Sequence, residues 1–555
     1  MFTLSSIVDF NLQPNKISRR NNNEKTFPKP LFFPEECLQE IFSYFSNDAS
    51  TLSKCLLVNK FWFKNAASIL WKSPFDKLQN PSAKLIETYL KFLDIRSKTV
   101  LSQIGIFSSY PSSYSSFSTP EFKYAQYVKT LHYKGLYESA CAFIFGNNCR
   151  PKDLKGEKKC LTLVRELSLF LIRKCPSIYI ISYDTEEIDF FVQDIYLSSL
   201  TLMPEVYHLF KRVRKLNCGG KYKKGSLMNV MSSYCKNLTS LELNFYEFDM
   251  YLDGDRKEPS KMSSLLLEQE DLRNLIIRGP FRFLTEFLTP LESQSKSLSL
   301  IHFERVQFNN LLLLESVTTC KNLETMIFID CMNLNDETLA PLASTSFLRL
   351  KKLIFKNAHK SRLDNLARLI QRTKGSLREI RFRRREFKNM VIRNVPDIPI
   401  NVTKTISICC PNLIIFEGHL EKETMPHFLT LLNTTFLEKL YISLEFKKNF
   451  EFFRSQVAFQ LPDTLNHLSI SIREQFSVKD LEQFLELCSA PLISLQFPQS
   501  SFIDDNYLDV ITEFAKQVGT LKKVAFSKNS LITEKGIQKA KQSISFVKKN
   551  GEEKV

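Results

Sequence analysis

Two kinds of apolar spacing divide this chain. In the stretch from 31 to 75, Leu38, Ile41, Phe42 and Phe45 fall at i, i+3, i+4 and i+7, the spacing that lines one face of a helix. Pro34 suits a first helical position, where its missing N–H is no loss, and Glu35 and Glu36 oppose the helix dipole. Asp48 is placed to cap a second helix bearing Leu52, Cys55 and Leu56. A third follows Asn59, with Trp62, Ala66, Ile69 and Leu70 on one side. Three short amphipathic helices are predicted, in a unit too small to hold much core of its own.

From about Val128 onward the spacing becomes apolar, two variable, apolar, one variable, apolar. Val213, Leu216 and Cys218 fit it, as do Leu238, Leu241 and Leu243, and matches continue through Leu521, Val524 and Phe526. The first residues of successive matches from 213 lie 25, 34, 26, 25, 27, 27, 36, 24, 28, 27 and 29 residues apart. Such a period predicts a short strand turning alternate side chains inward, then a helical return to the next rung, since one unit cannot bury itself. Asp504 and Thr533 are expected to cap two of the return helices. Earlier units, at Val128, Val164 and Leu197, are degenerate versions of the pattern.

The expected organisation is a flexible arm over 1–27, the helical module over 28–75, a helical linker over 76–127, repeats over 128–546 and a flexible tail over 547–555. The linker contains a Ser-rich stretch, 108–119, broken by Pro111. In the arm, Lys16, Arg19 and Arg20 read either as a nuclear-import patch or as a solvated basic tail.

The segment 31–75 resembles an F-box. Its marks are Phe33 and Pro34, then Glu35 and Glu36, the Ile41–Phe42 pair, Val58, Lys60 and Trp62, and finally Leu70 and Trp71. Phe33 replaces the usual Leu, and Asn59 stands where Cys or Ser is commoner. The repeats are of leucine-rich length. The unit of Cys320, Leu323, Met326, Phe328, Cys331 and Leu334, followed by Asn335 and Asp336, is similar to the cysteine-containing subtype. As a whole the chain resembles the fungal F-box proteins with C-terminal leucine-rich repeats. That resemblance implies an α/β leucine-rich-repeat solenoid, horseshoe-like, behind a small all-α three-helix F-box.

It also implies a function: a non-catalytic substrate receptor of an SCF-type ubiquitin ligase, whose clients go to the proteasome. The F-box would dock on a Skp-type adaptor and through it on a cullin–RING assembly. Adaptor-facing residues would be Pro34, Leu38, Ile41, Val58, Trp62, Leu70 and Trp71, each with the competing role of intradomain core. The protein substrate would lie on the strand face of the repeats. Lys352 and Lys356 occupy one rung there and Arg381 and Arg383 the next, with Arg384 and Arg385 just beyond. Converging cations would suit a phosphorylated or acidic segment; the alternative is a solvated basic face.

Composition narrows the rest. The chain has 555 residues, 47 of them Phe, and is 43% hydrophobic, too apolar for disorder and too long for one core. Lys and Arg number 76 against 59 Asp and Glu, a net charge of +17. That balance keeps open a basic scaffold for RNA or anionic lipid, for which steep salt dependence would speak. An F-box protein acting outside ubiquitination also stays open.

No apolar run reaches membrane-spanning length; Leu311 to Leu314 are hemmed in by Asn310 and Glu315. Met1 to Phe10 lacks the features of an export leader. The 13 cysteines then read as thiols of a reducing compartment, cytoplasmic or nuclear, and the Asn-x-Thr matches at Asn237, Asn401 and Asn433 as chance. Catalytic motifs are wanting. Gly220 to Ser226 has the glycine spacing of a phosphate loop but puts Ser226 where its Lys belongs. There is no Cys-x-x-Cys and no His-x-x-x-His, so no metal site or cofactor is expected.

Overall fold

The structure, a computed structural model, describes residues 34–46, 48–76, 82–106, 124–146, 151, 153–183, 204–219, 231–245, 258–281, 284–356, 363–383, 399–444, 447–472 and 474–549. The N-terminal arm, the Ser-rich stretch, Leu197, the Gly220–Ser226 loop, Arg384, Arg385 and the side chain of Arg383 lie outside the described residues. Two compact units are present, Met1–Glu270 and Asp271–Val555.

The first unit opens with helices α1 (Glu35–Tyr44), α2 (Ala49–Cys55) and α3 (Lys60–Leu70). Pro34, at φ −56° and ψ 143°, is the residue before α1 and not its first turn, one position earlier than expected. Asp48 caps α2 by accepting from the Thr51 amide at 3.0 Å, and Asn59 caps α3 by accepting from the Trp62 amide at 2.9 Å. An N-cap oxygen of this kind contributes roughly 1 kcal/mol. Asn59 therefore keeps the capping role that a Ser would fill.

Helices α4 (Ala83–Phe92) and α5 (Ile95–Gln103) follow. Leu85, Ile86, Tyr89 and Leu101 are buried, so these two helices of the expected helical linker are packed. Then come β1 (Thr130–His132), α6 (Tyr133–Phe145), α7 (Leu154–Lys174), β2 (Ile180–Tyr183), β3 (Lys215–Gly219) and β4 (Ser240–Asn244). The four strands pair in sequence order and all parallel.

One expectation fails here. Val164 begins no rung: it lies inside α7, fully buried. An apolar spacing of three residues is common to a helix face and to the repeat triplet, and across 21 helical residues the helix wins. The rung is instead carried by Ile178, Ile181 and Tyr183, all buried around β2.

The second unit contains eleven parallel strands paired in sequence order. They are β5 (Asn274–Arg278), β6 (Leu300–Glu304), β7 (Thr325–Ile329), β8 (Lys352–Lys356), β9 (Glu379–Arg383) and β10 (Ile415–Leu420). β11 (Lys439–Leu444), β12 (His467–Ile472), β13 (Ser494–Phe497), β14 (Lys523–Phe526) and β15 (Phe546–Lys549) complete the set. Every predicted triplet residue from Val213 to Phe526 is buried, most of them completely. Phe303, Phe328, Phe355 and Phe382, equivalent positions of β6 to β9, stack with centroids 5.7, 4.8 and 6.1 Å apart. At about 1.5–3 kcal/mol for each large side chain buried, these rows hold the rungs together. β15 runs to Lys549 with Ile544 and Val547 buried, which extends ordered structure into the predicted tail.

Return segments change character along this unit. Near β5 and β6 they are short helical turns such as Thr289–Gln294; from Asp336–Ser344 onward they are α-helices. Asn335 caps the latter in a reciprocal box with Thr338, and Asp504 and Thr533 cap Asp505–Val518 and Glu534–Ala540 as expected. Rungs are joined by a shared acceptor. Within each unit, one carbonyl just before most strands takes two successive amides of the next rung: Tyr179 O from Arg214 and Lys215 at 2.8 and 3.1 Å, Arg214 O from Thr239 and Ser240 at 2.7 and 3.1 Å. The same fork recurs at Arg273, Ser299, Glu324, Lys351, Arg378, Ile414, Glu438, Asn466 and Ile493. The architecture is thus an α/β leucine-rich-type solenoid preceded by an all-α head.

Candidate functional site

In the head, α1 crosses α3 in opposite directions. Glu35 pairs with Lys64 at 3.4 Å, and Gln39 donates to the buried Asn65 at 3.0 Å. Further along, Phe42 meets Trp62 edge to face at 5.2 Å. This crossing brings the C-terminal end of α1 beside the start of α3. The apolar face read from the sequence is divided between two environments. Leu38 and Phe42 point inward and are buried, whereas Ile41 is 42% exposed and Phe45 is also exposed. The α2–α3 turn adds Leu57 and Val58, the latter 55% exposed, and α3 adds Phe61.

The seven residues named for the adaptor accordingly separate. Pro34, Ile41 and Val58 are exposed and Trp62 is half-buried. Leu38, Leu70 and Trp71 are core. Trp71, 1% exposed, stacks on Tyr124 at 4.5 Å and meets Tyr89 edge to face at 5.8 Å. Its environment comes from beyond the three-helix unit, which the pattern of 31–75 alone does not reveal.

On the strand face, outward positions alternate with the buried triplet residues. Lys352 and Lys356 begin and end β8, and their register partners on β9 are Glu379 and Arg383. Lys352 and Arg381 meet on adjacent strands, and two carboxylates stand among them. Glu379 accepts from Arg381 at 2.6 Å and lies 3.2 Å from the Lys352 ammonium, and Glu417 on β10 is 3.6 Å from the other side of Arg381. Arg381 is largely buried, with its guanidinium 5.0 Å from the ring centroid of Tyr441. A cation held by two carboxylates and an aromatic ring has little charge left to offer a ligand. Sequence reasoning missed Glu379, Glu417 and Tyr441. All three occupy outward strand positions, a signal readable once the triplets fix the register.

Cys320 and Cys331 are repeat-core thiols. Burial pushes Cys320 up to about 11 and Cys331 up to about 12, away from thiolate chemistry. Cys331 donates to the Phe303 carbonyl of the preceding rung at 3.4 Å. Among the described residues no cluster of His, Cys, Asp or Glu is placed to hold a metal ion. No described helix is long and apolar enough to cross a membrane.

Residues 33–77 match the F-box-like family. The head is thus an F-box-like domain, and parallel repeats of leucine-rich type follow it. No curated protein matches the chain. Among solved structures it is similar to the yeast Rad7–Elc1 complex, at 13% identity over 65% of this chain and 88% of that one, with a TM-score of 0.35. It is also similar to the TLR13–ssRNA13 complex, at 12% identity over 63% of this chain and 46% of that one, with a TM-score of 0.33.

Proposed function

We propose that this chain is the substrate-receptor subunit of an SCF-type cullin–RING ubiquitin ligase. In this reading the module over 28–75 binds a Skp-type adaptor, and the repeats over 128–546 hold a protein client for ubiquitination and degradation. The observation that carries it is the F-box-like head with apolar side chains left in solvent around Ile41 and Val58. Exposed aliphatic and aromatic groups clustered on a small domain are the kind of surface a partner covers. Pro34, Ile41, Val58 and Trp62 face the adaptor, while Leu38, Leu70 and Trp71 fix the helices behind them. The strand face around Lys352, Lys356, Arg381 and Arg383 is the proposed client surface. The chain's contribution to the reaction is to hold a client lysine near a thioester carried by other subunits, an effect of proximity.

Affinity capture of the full chain, with mass spectrometry, tests the reading. Adaptor and cullin are expected with the native chain, and the Ile41→Asp, Val58→Asp pair loses both while clients remain. Recovery of neither from the native chain overturns it; adaptor without cullin assigns the protein to a role outside ubiquitination.

A further inference from the structure

The unclaimed feature of the second unit is a groove of about 520 Å³ on the outward face of β11 to β14, bounded by Phe546 of β15. Its floor is His467, which is 8% exposed and whose Nε2 has no hydrogen-bond partner. Lys439, its register partner on β11, and Lys523, on β14 one strand beyond its other partner Ser494, flank it. Among the described residues no carboxylate lines the groove. Tyr441, 4.8 Å from the His467 ring, and the exposed Phe546 supply apolar walls, and Gln496 adds an amide.

These features are complementary to one kind of ligand. Two ammonium groups facing a space without a counter-charge favour an anion. A buried imidazole nitrogen without a partner leaves a desolvation loss that a ligand hydrogen bond would recover. Burial first, then Lys439, Arg381 and Lys523, push His467 down to about 4. At neutral pH the ring is uncharged, and in its Nε2–H tautomer it donates to an oxyanion. The volume is that of a small-ligand site, with room for an apolar body behind the charged group. The contrast with Arg381 is instructive: there the counter-charges are built into the fold, and here they are left out.

We propose that this groove is an anion-recognition pocket, in which a phosphate or carboxylate sits between Lys439 and Lys523 over His467 and its aromatic or aliphatic body lies against Tyr441 and Phe546. The anion comes either from a free small molecule or from a side chain of a protein segment. The pocket does not depend on the adaptor reading, and Ile41→Asp leaves it untouched.

Calorimetric titration of the full chain with phenyl phosphate, inorganic phosphate and a capped glycine-flanked phosphotyrosine pentapeptide tests the pocket. Phenyl phosphate is expected to bind saturably and more tightly than inorganic phosphate. Lys439→Gln and Lys523→Gln each weaken it about tenfold, and His467→Gln, with its resonance assigned by NMR, removes a ring signal that shifts on titration. Lys523 is exposed, so its substitution leaves the fold intact, which circular dichroism verifies. Peptide binding at least tenfold tighter than phenyl phosphate identifies a protein segment as the source; equal or weaker binding identifies a free molecule. The proposal is overturned if no probe saturates up to about 10 mM, or if both lysine variants bind as the native chain does.

Discussion

Lys72 stands one rung ahead of Lys129. Its carbonyl oxygen accepts from the amides of Lys129 and Thr130 at 2.9 and 3.2 Å, the same fork that recurs at Tyr179, Arg214 and most rungs of the second unit. Ser73 reinforces the joint by donating to the Thr130 hydroxyl at 2.8 Å. The F-box-like head therefore ends as the first step of the repeat ladder. Within the first unit, whatever holds the head also holds the start of the solenoid.

The closeness of that joint makes Gly135 sensitive. A Cβ at Gly135 would lie 2.0 Å from the Phe75 carbonyl oxygen, nearer than any real side chain comes to backbone. Gly135→Ala is expected to destabilise the first unit by about 1–3 kcal/mol, as overpacking does. Chemical denaturation measures it; an unchanged midpoint would show that the head does not press on α6.

Trp71 and Ile41 should report opposite properties. Trp71→Ala removes a ring enclosed by Tyr89 and Tyr124 and is expected to lower stability by about 3–5 kcal/mol. Ile41→Asp acts at an exposed position, where stability changes stay within about 0.5 kcal/mol, and should abolish adaptor capture. Paired melts and pull-downs distinguish them. Equal loss of stability in both would contradict the division of the head into core and docking residues.

Glu379 holds two cations at once. Replacing it by Gln leaves Arg381 and Lys352 facing each other with only Glu417 nearby, and Arg381 is largely buried. A loss of about 3 kcal/mol is expected, because breaking a buried pair strands a charge. Denaturation of Glu379→Gln beside the double variant Glu379→Gln, Arg381→Met checks the cause: the second substitution should restore part of the loss.

Acid should destabilise the second unit through its histidines. Burial first pushes His302 and His467 down to about 4 from an ordinary 6.5; Arg278 adds to the effect at His302, and Lys439 at His467. Between those values the unfolded chain binds more protons than the folded one, so stability rises with pH. It is complete above about 6.5 and is lost as pH falls toward 4, by up to about 3 kcal/mol for each ring. Melts across this range on the native chain and on His302→Gln, His467→Gln should give a steep and a flatter profile respectively; parallel profiles would refute the assignment.

Much of the fold was legible because burial in a solenoid follows one local rule. Leu298, Ile301 and Phe303 announce their rung without knowledge of any neighbour. The rule failed at Val164, where a helix obeys the same three-residue step, and it passed over Ile178, Ile181 and Tyr183, which follow directly on that helix. The candidate sites were less legible, because they depend on which residues become neighbours across rungs. Arg381 advertised its charge, but Glu417 lies more than a full repeat away in sequence and cancels part of it. His467 gave no signal at all, since its meaning comes from Lys439 and Lys523, one and two strands away.

The forked carbonyls specify where a rung begins and leave open the route by which the backbone arrives. From β5 to β14 the strand starts stay aligned although the spans between them range from 24 to 36 residues. New length can accordingly be accepted on the helical side, where lengthening a loop adds only a slowly growing closure entropy. A single residue inserted within a strand would instead turn its whole inward row out to water. The molecule is tolerant to growth along one flank and intolerant along the other, so diversification of its surface has a built-in direction.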